Sequence, residues 1–253
     1  MTDAGLLVCP EGYSAIHLED VGSTNADAFE RASQGAPSGQ WVVARRQTAG
    51  RGRRGRVWTS ETGNLYSSLI LREPIAEHRL GELPLVVALA VHDAIASALP
   101  PFARGDLAIK WPNDILHAGA KMCGILIEAA THAEGRVVVV GIGINCAHHP
   151  DGALYRATDL AEIGYPTEPE AMFALLAAAM ARRLAEWRSS DFSVIREAWL
   201  SRARGVGEAI TVRLPSSEIN GIFTGLDADG RLLLRHDGGL DAISAGDVFF
   251  GRS

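Results

Sequence analysis

The chain has 253 residues, 47% of them hydrophobic and 21% charged, with a formal net charge of −6. That length suits a main domain plus a small one, and the acidic balance excludes general nucleic-acid or membrane-surface binding, so any basic patch must be local. No apolar run reaches the length of a membrane span and no basic-then-apolar leader is present; Cys9, Cys123 and Cys146 lack metal-like spacing and read as reduced cysteines in a cytoplasmic protein.

In chain order, "STNADAFERASQ" at 23–34 predicts a helix N-capped by Ser23 or Thr24 and ended by Gly35 and Pro37. "WVVAR" at 41–45 and "NLYSSLILR" at 64–72 read as strands on either side of a glycine-spaced arginine loop. "LPLVVALAVHDAIASAL" at 83–99 is a long apolar helix, with Pro84 in its first turn and Pro100 stopping it. Three strands follow at 107–112, 123–131 and 136–146, then helices around 168–188 and 191–204. Sheet and helices without strict βαβ alternation predict an α+β fold. From Gly205 the pattern changes to short strands separated by Pro215-Ser216, Asp229-Gly230 and Gly238-Gly239, which reads as a small SH3-like β-barrel. Asn220-Gly221 has hairpin-turn composition inside an apolar run. The expected division is 1–204 and 205–253.

Arg45, Arg46, Arg51, Arg53, Arg54 and Arg56 crowd into twelve residues, and no Asp or Glu lies between Glu30 and Glu61. Such a cluster predicts an anionic ligand. Glycines at 50, 52 and 55 let the backbone approach it, and the guanidinium forks suit carboxylate or phosphate oxygens. A solvated loop or a nucleic-acid contact is the plainer reading.

Of 24 basic residues only Lys110 and Lys121 are lysines, so both positions point to a need for a compact ammonium. They flank "KWPNDIL" and "KMCGILIE", a strand–turn–strand in which Trp111-Pro112-Asn113-Asp114 is expected to be the extended end of a strand. Both can reach one site, and Gly124 would let a ligand lie close to the second strand. In "GIGIN" at 141–145, Gly141, Gly143 and Asn145 share one face, leaving a slot beside the sheet for a ligand or for the protein's own side chains. His148-His149 before Pro150 reads as a polar loop.

"STN" at 23, "QTAGRGRRGRVW" at 47, "GNLYSS" at 63, "KWPNDI" at 110, "KMCGILIE" at 121 and "GIGIN" at 141 together resemble the motif set of bacterial biotin protein ligases, also called biotin–[acetyl-CoA-carboxylase] ligases. The resemblance runs from about residue 17 onward. It implies a catalytic domain like that of class II aminoacyl-tRNA synthetases, a mixed sheet with flanking helices, followed by an SH3-like domain. Regulatory members carry an N-terminal helix-turn-helix domain. The 22 residues before Ser23 are too few for one, so the chain resembles the short type that does not bind DNA.

The activity so implied joins biotin to ATP as biotinyl-5′-AMP, then transfers biotin to a lysine of a biotin carboxyl carrier protein or domain of a biotin-dependent carboxylase. ATP with Mg²⁺ as counter-ion and biotin are the expected small molecules, with no metal site of the protein's own; monomer and weak homodimer both stay open. By resemblance Ser23, Thr24, Asn25 and Gln47 bind the biotin head. Gly50, Arg51, Gly52, Arg53, Lys121, Gly124, Gly141 and Gly143 complete the biotin site. Arg51, Arg53, Arg54, Trp58, Asn113, Lys121 and Asn145 bind ATP, with any Mg²⁺ near Asn145. Lys121, Arg51, Asp114 and Lys110 are the catalytic set, and Asp114 orients or deprotonates the carrier lysine. A lipoate–protein ligase and an RNA-binding protein using the arginine loop are the alternatives.

Overall fold

A computed structural model describes residues 7–132, 135–150 and 156–251, so the outer limits of both expected segments lie outside the described residues. Strand β1 (Ser14–Val21) leads through helix α1 (Thr24–Ser33) into β2 (Gln40–Gln47), which pairs parallel with β1. Then come β3 (Leu65–Arg72), helix α2 (Leu83–Ala98), β4 (Leu107–Lys110), β5 (Asp114–His117), β6 (Ala120–His132) and β7 (Gly135–Ile144). They form a 7-stranded sheet in the order β1-β2-β3-β7-β6-β5-β4, antiparallel from β2 onward. Helices α3 (Pro169–Ser189) and α4 (Phe192–Leu200) complete the first unit.

Alternation along the strands sorts residues between the two faces. On one face Val138, Val140, Ile142 and Ile144 of β7 join Leu69, Leu71 and Trp41 in a core that also takes in α2, α3 and α4. On the other, Val137 and Val139 meet Val42, Ile70 and the Ala28/Ala32 stripe of α1. Further along that second face the apolar residues give way to Gly141, Gly143 and Asn145, and a cavity begins there. α1 therefore covers part of this face, and the cavity opens beside it.

By length and composition Glu77–Ala98 would pass for a membrane span, which run length alone did not suggest. Most of α2 is buried, because its apolar residues pack between the sheet and α3. Strand β1 was not expected, and the strand expected through 110–116 is broken into β4 and β5, the latter pairing antiparallel with β6. Trp111–Asn113 are not an extended strand end: the chain reverses there through a cis Trp111–Pro112 peptide, and Lys110 pairs directly with Asp114. The pre-proline preference for extended backbone is outweighed by β4–β5 pairing. The helix expected at 191–204 ends at Leu200, because residues 202–204 bond back to Ile109.

Beyond residue 204 lie β8 (Ala209–Arg213), β9 (Glu218–Leu226), β10 (Leu232–His236), β11 (Gly239–Ile243) and β12 (Asp247–Phe250). They make a 5-stranded antiparallel sheet, ordered β11-β10-β9-β8-β12, consistent with an SH3-like unit. Asn220-Gly221 sits inside β9 and is not a turn, because Thr211 and Ile210 of β8 pair with it. Ile210, Val212, Phe223 and Leu234 of this sheet belong to the same core cluster as α2.

Candidate active site

The cavity on the α1 face has a volume of about 540 Å³. Ser23, Thr24, Asn25, Gln47, Arg51, Gly52, Arg53, Trp58, Asp114, Lys121, Gly124, Gly141, Gly143 and Asn145 all line it. Gly50, Arg54, Lys110 and Asn113 do not.

One end is built from neutral polar groups. Ser23 stands at the N-cap of α1, but its side chain makes no capping hydrogen bond and instead faces the cavity. Gln47 Oε1 accepts from Thr24 N at 2.8 Å and from Thr24 Oγ at 3.1 Å, and Gln47 Nε2 donates to Ser60 Oγ at 3.0 Å. Ser68 Oγ lies 2.8 Å from Thr24 Oγ and 2.6 Å from Asn25 Oδ1. Asn25 Nδ2 donates to Glu128 Oε2 at 2.8 Å, and Arg51 stands 3.8 Å from the same oxygen. These side chains hold one another in place, so the end is shaped before any ligand arrives.

The other end is charged. Lys121 Nζ meets Asp114 Oδ1 at 2.6 Å, and Lys110 pairs with Asp114 across β4–β5. Burial would raise the Asp114 carboxyl, but the Lys121 and Lys110 ammoniums outweigh it and hold the pKa below the usual range. Burial pushes Lys110 down to about 8, against the pull of Asp114 and with the push of Lys121. Asn145 Nδ2 is committed to Thr158 O at 3.0 Å, which leaves its Oδ1 to offer a ligand or cation. Asn113 Nδ2 donates to Ile125 O, and its buried Oδ1 has no donor among the described residues.

The glycines face the cavity, but part of the room they leave is taken by the protein itself. A Cβ on Gly141 would stand 2.2 Å from Asn25 Oδ1, one on Gly143 2.6 Å from Trp58 Nε1, and one on Gly124 2.7 Å from the Trp58 ring. Trp58 thus packs against the strand backbone, with Lys121 Nζ 5.8 Å from its centroid. Its loop folds as a small hairpin: Arg51 bridges Val57, and Gly52 N donates to Arg56 O at 2.7 Å.

Every arginine of the cluster has an acidic neighbour. Arg45 pairs with Glu19, Arg46 with Asp20, and Arg51 with Glu128. Arg53, Arg54 and Arg56 converge on Asp247 of β12 at 3.3, 3.0 and 2.5 Å.

The chain has relatives among known proteins. The sequence profile of the Biotin/lipoate A/B protein ligase family matches residues 19–145, and that of the biotin protein ligase C-terminal domain matches 205–251. A biotin–[acetyl-CoA-carboxylase] ligase from Paracoccus denitrificans is 44% identical over 236 residues, 90% of this chain and 97% of that one. The chain belongs to the biotin protein ligase family. The bifunctional ligase/repressor BirA of Bacillus subtilis is 34% identical over 247 residues, covering 95% of this chain and 75% of its own. Among solved structures, the biotin protein ligase from Aquifex aeolicus in complex with biotin and ATP superposes with a TM-score of 0.80 at 30% identity. It covers 95% of this chain and 99% of that one.

Sequence reasoning about this family member missed several cavity residues. His148 and His149 line the cavity, and His149 Nδ1 lies 2.6 Å from Asp159 Oδ2. Asn64 shapes that turn: its Oδ1 accepts from Cys146, Ala147 and His148 N at 2.8, 2.9 and 3.1 Å. Asn64 could have been found, being one of only five asparagines and within "GNLYSS". Asp159 and Asp247 carry no local signal.

Proposed function

We propose that this protein activates biotin with ATP and transfers it to a lysine of a biotin-accepting carboxylase. The observation that carries this reading is one cavity with a neutral, pre-ordered hydroxyl–carboxamide end and a charged Lys121–Asp114 end. A ureido head offers donors and an acceptor to Ser23, Thr24, Asn25 and Gln47. A carboxylate and a phosphate are anions that must be brought together, which Lys121 and Arg51 favour.

In the first step a carboxylate oxygen of biotin attacks the α-phosphorus, the bond to the β-phosphate oxygen breaks, and pyrophosphate leaves. In the second the carrier lysine nitrogen attacks the acyl carbon, AMP leaves with the bonding electrons, and the amine sheds a proton. Lys121 supports both by stabilising charge on oxygen. Asp114, held ionised by two ammoniums, suits fixing Lys121 in place and is a poor proton acceptor for a carrier lysine. Lys110 is screened from the cavity and suits a supporting role behind Asp114. Asn145 Oδ1 would be available to Mg²⁺ arriving with the nucleotide; among the described residues no group of three or more His, Cys, Asp or Glu could hold a metal.

The reading places the catalytic unit before about residue 205 and an SH3-like unit after it. A lipoate dithiolane has no hydrogen-bonding partners for the Gln47 end, and a chain of net charge −6 does not favour an RNA backbone. ATP–pyrophosphate exchange measured with biotin, with lipoate and with neither tests the assignment. Exchange with biotin alone is expected; exchange with lipoate, or no exchange with either acid, overturns it.

A further inference from the structure

The contact between the arginine loop and Asp247 joins residues 191 to 194 positions apart. Its two sides differ in kind. Asp247 begins a strand of the second sheet and its side chain is 6% exposed, whereas Arg53, Arg54 and Arg56 are 31%, 41% and 42% exposed on a glycine-spaced loop. Arg54 holds a left-handed backbone at φ 58°, which a non-glycine residue keeps only where surrounding contacts secure it. Three guanidiniums meet on this one carboxylate, and a polyphosphate offers the same forks several anionic oxygens at once.

The same hairpin seats Trp58 against Gly124 and Gly143, inside the slot of the cavity, and its buried indole N–H has no acceptor among the described residues. This contact borders the site: Phe249, two residues after Asp247, lies 5.8 Å from Lys110 Nζ, and Lys110 is the β4–β5 register partner of Asp114, which lines the cavity.

We propose that Asp247 is an exchangeable counter-anion through which the second sheet latches the arginine loop in its resting fold, and that the triphosphate of the nucleotide releases the latch by taking the same guanidiniums. The proposal rests on the ATP-dependent reading above, and it makes the C-terminal unit a competitor for the loop. Polyphosphate and Asp247 cannot both hold Arg53, Arg54 and Arg56 in full, so removing the carboxylate frees the loop and strengthens polyphosphate binding.

The experiment is trypsin digestion of the full chain, followed at the sites between residues 51 and 57, with tripolyphosphate as the probe. In Asp247→Asn, cutting without ligand is expected to be about tenfold faster than in the wild type, and the tripolyphosphate concentration giving half-protection about tenfold lower, the size of one charge-assisted contact. Thermal melting reports whether this near-isosteric variant folds. Should it not, Arg56→Gln loosens the latch from the other side, and cutting at Arg51, Arg53 and Arg54 should rise about threefold. Unchanged cutting in a folded variant overturns the latch, and so does a raised half-protecting concentration. Biotin-dependent exchange by the wild-type protein is scored separately. Its absence with a positive latch result removes the biotin reading, and its presence with a negative one removes only the latch.

Discussion

At the Gln47 end of the cavity, hydroxyls and carboxamides bond to one another, with Glu128 at the margin; at the Lys121 end, Lys121 pairs with the buried Asp114 carboxylate, which the Lys110 ammonium also helps to keep ionised. The neutral end bonds to itself without a ligand and is therefore expected to change little on binding. The charged end balances burial against attraction, so it responds to any anion that enters. Neutral hydrogen bonds contribute about 0.5–1.5 kcal/mol each, and those to charged groups about 1.5–3. Recognition should therefore be graded at one end and catalysis steep at the other.

The hardest test of that contrast is Lys121→Ala, expected to slow biotin-dependent ATP–pyrophosphate exchange by about ten- to a hundredfold while the fold persists. Lys121→Arg should also be strongly impaired, because a planar fork does not reproduce a point charge 2.6 Å from Asp114. Exchange by the arginine variant at the wild-type rate would erase the distinction. At the neutral end, Gln47→Ala removes the side-chain bonds to Thr24 and Ser60 and should weaken biotin binding by roughly tenfold in calorimetry, with the rate at saturating biotin little changed. A drop in that rate as large as for Lys121→Ala would show that the two ends do not divide the work.

Gly143→Ala lies between the ends. Its methyl would stand 2.6 Å from Trp58 Nε1, so the indole must shift. Nucleotide affinity should fall by roughly threefold with the melting temperature nearly unchanged, a modest loss because a side chain yields more readily than backbone. No change in affinity would separate the Trp58 seat from nucleotide binding.

The smallest expected effect concerns pH. Lys110 titrates at about 8 in the fold, below the ~10.4 of an exposed lysine. Below pH 8 both states hold the proton; between about 8 and 10.4 only the unfolded chain does, so stability rises with pH across that window. Urea midpoints of the wild type should climb relative to those of Lys110→Met between pH 7.5 and 10. Parallel curves would mean that burial does not depress Lys110.

Much of the first sheet was legible. α1, α2, α3 and the β7 alternation follow from periodicity, and the switch from Val137 and Val139 to Gly141, Gly143 and Asn145 marks where apolar packing stops. The β4–β5 reversal was not legible, because the pre-proline preference pointed to extended chain and strand pairing decided otherwise. Asn220-Gly221 misled for a related reason: its turn composition was overridden by pairing with β8.

The arginine cluster marks the boundary most clearly. Taken alone, the sequence determined that six guanidiniums within twelve residues lack a nearby carboxylate and need an anion, and that two lysines were kept in an arginine-rich chain. Only the tertiary structure decided which anions stand ready: Glu19, Asp20, Glu128 and, from the second sheet, Asp247. It also decided that Trp58 takes part of the slot the glycines leave. Local pattern encodes burial and turns because these depend on neighbours a few residues away. Charge pairing across 26 to 194 positions depends on which surfaces meet, and no local pattern records that.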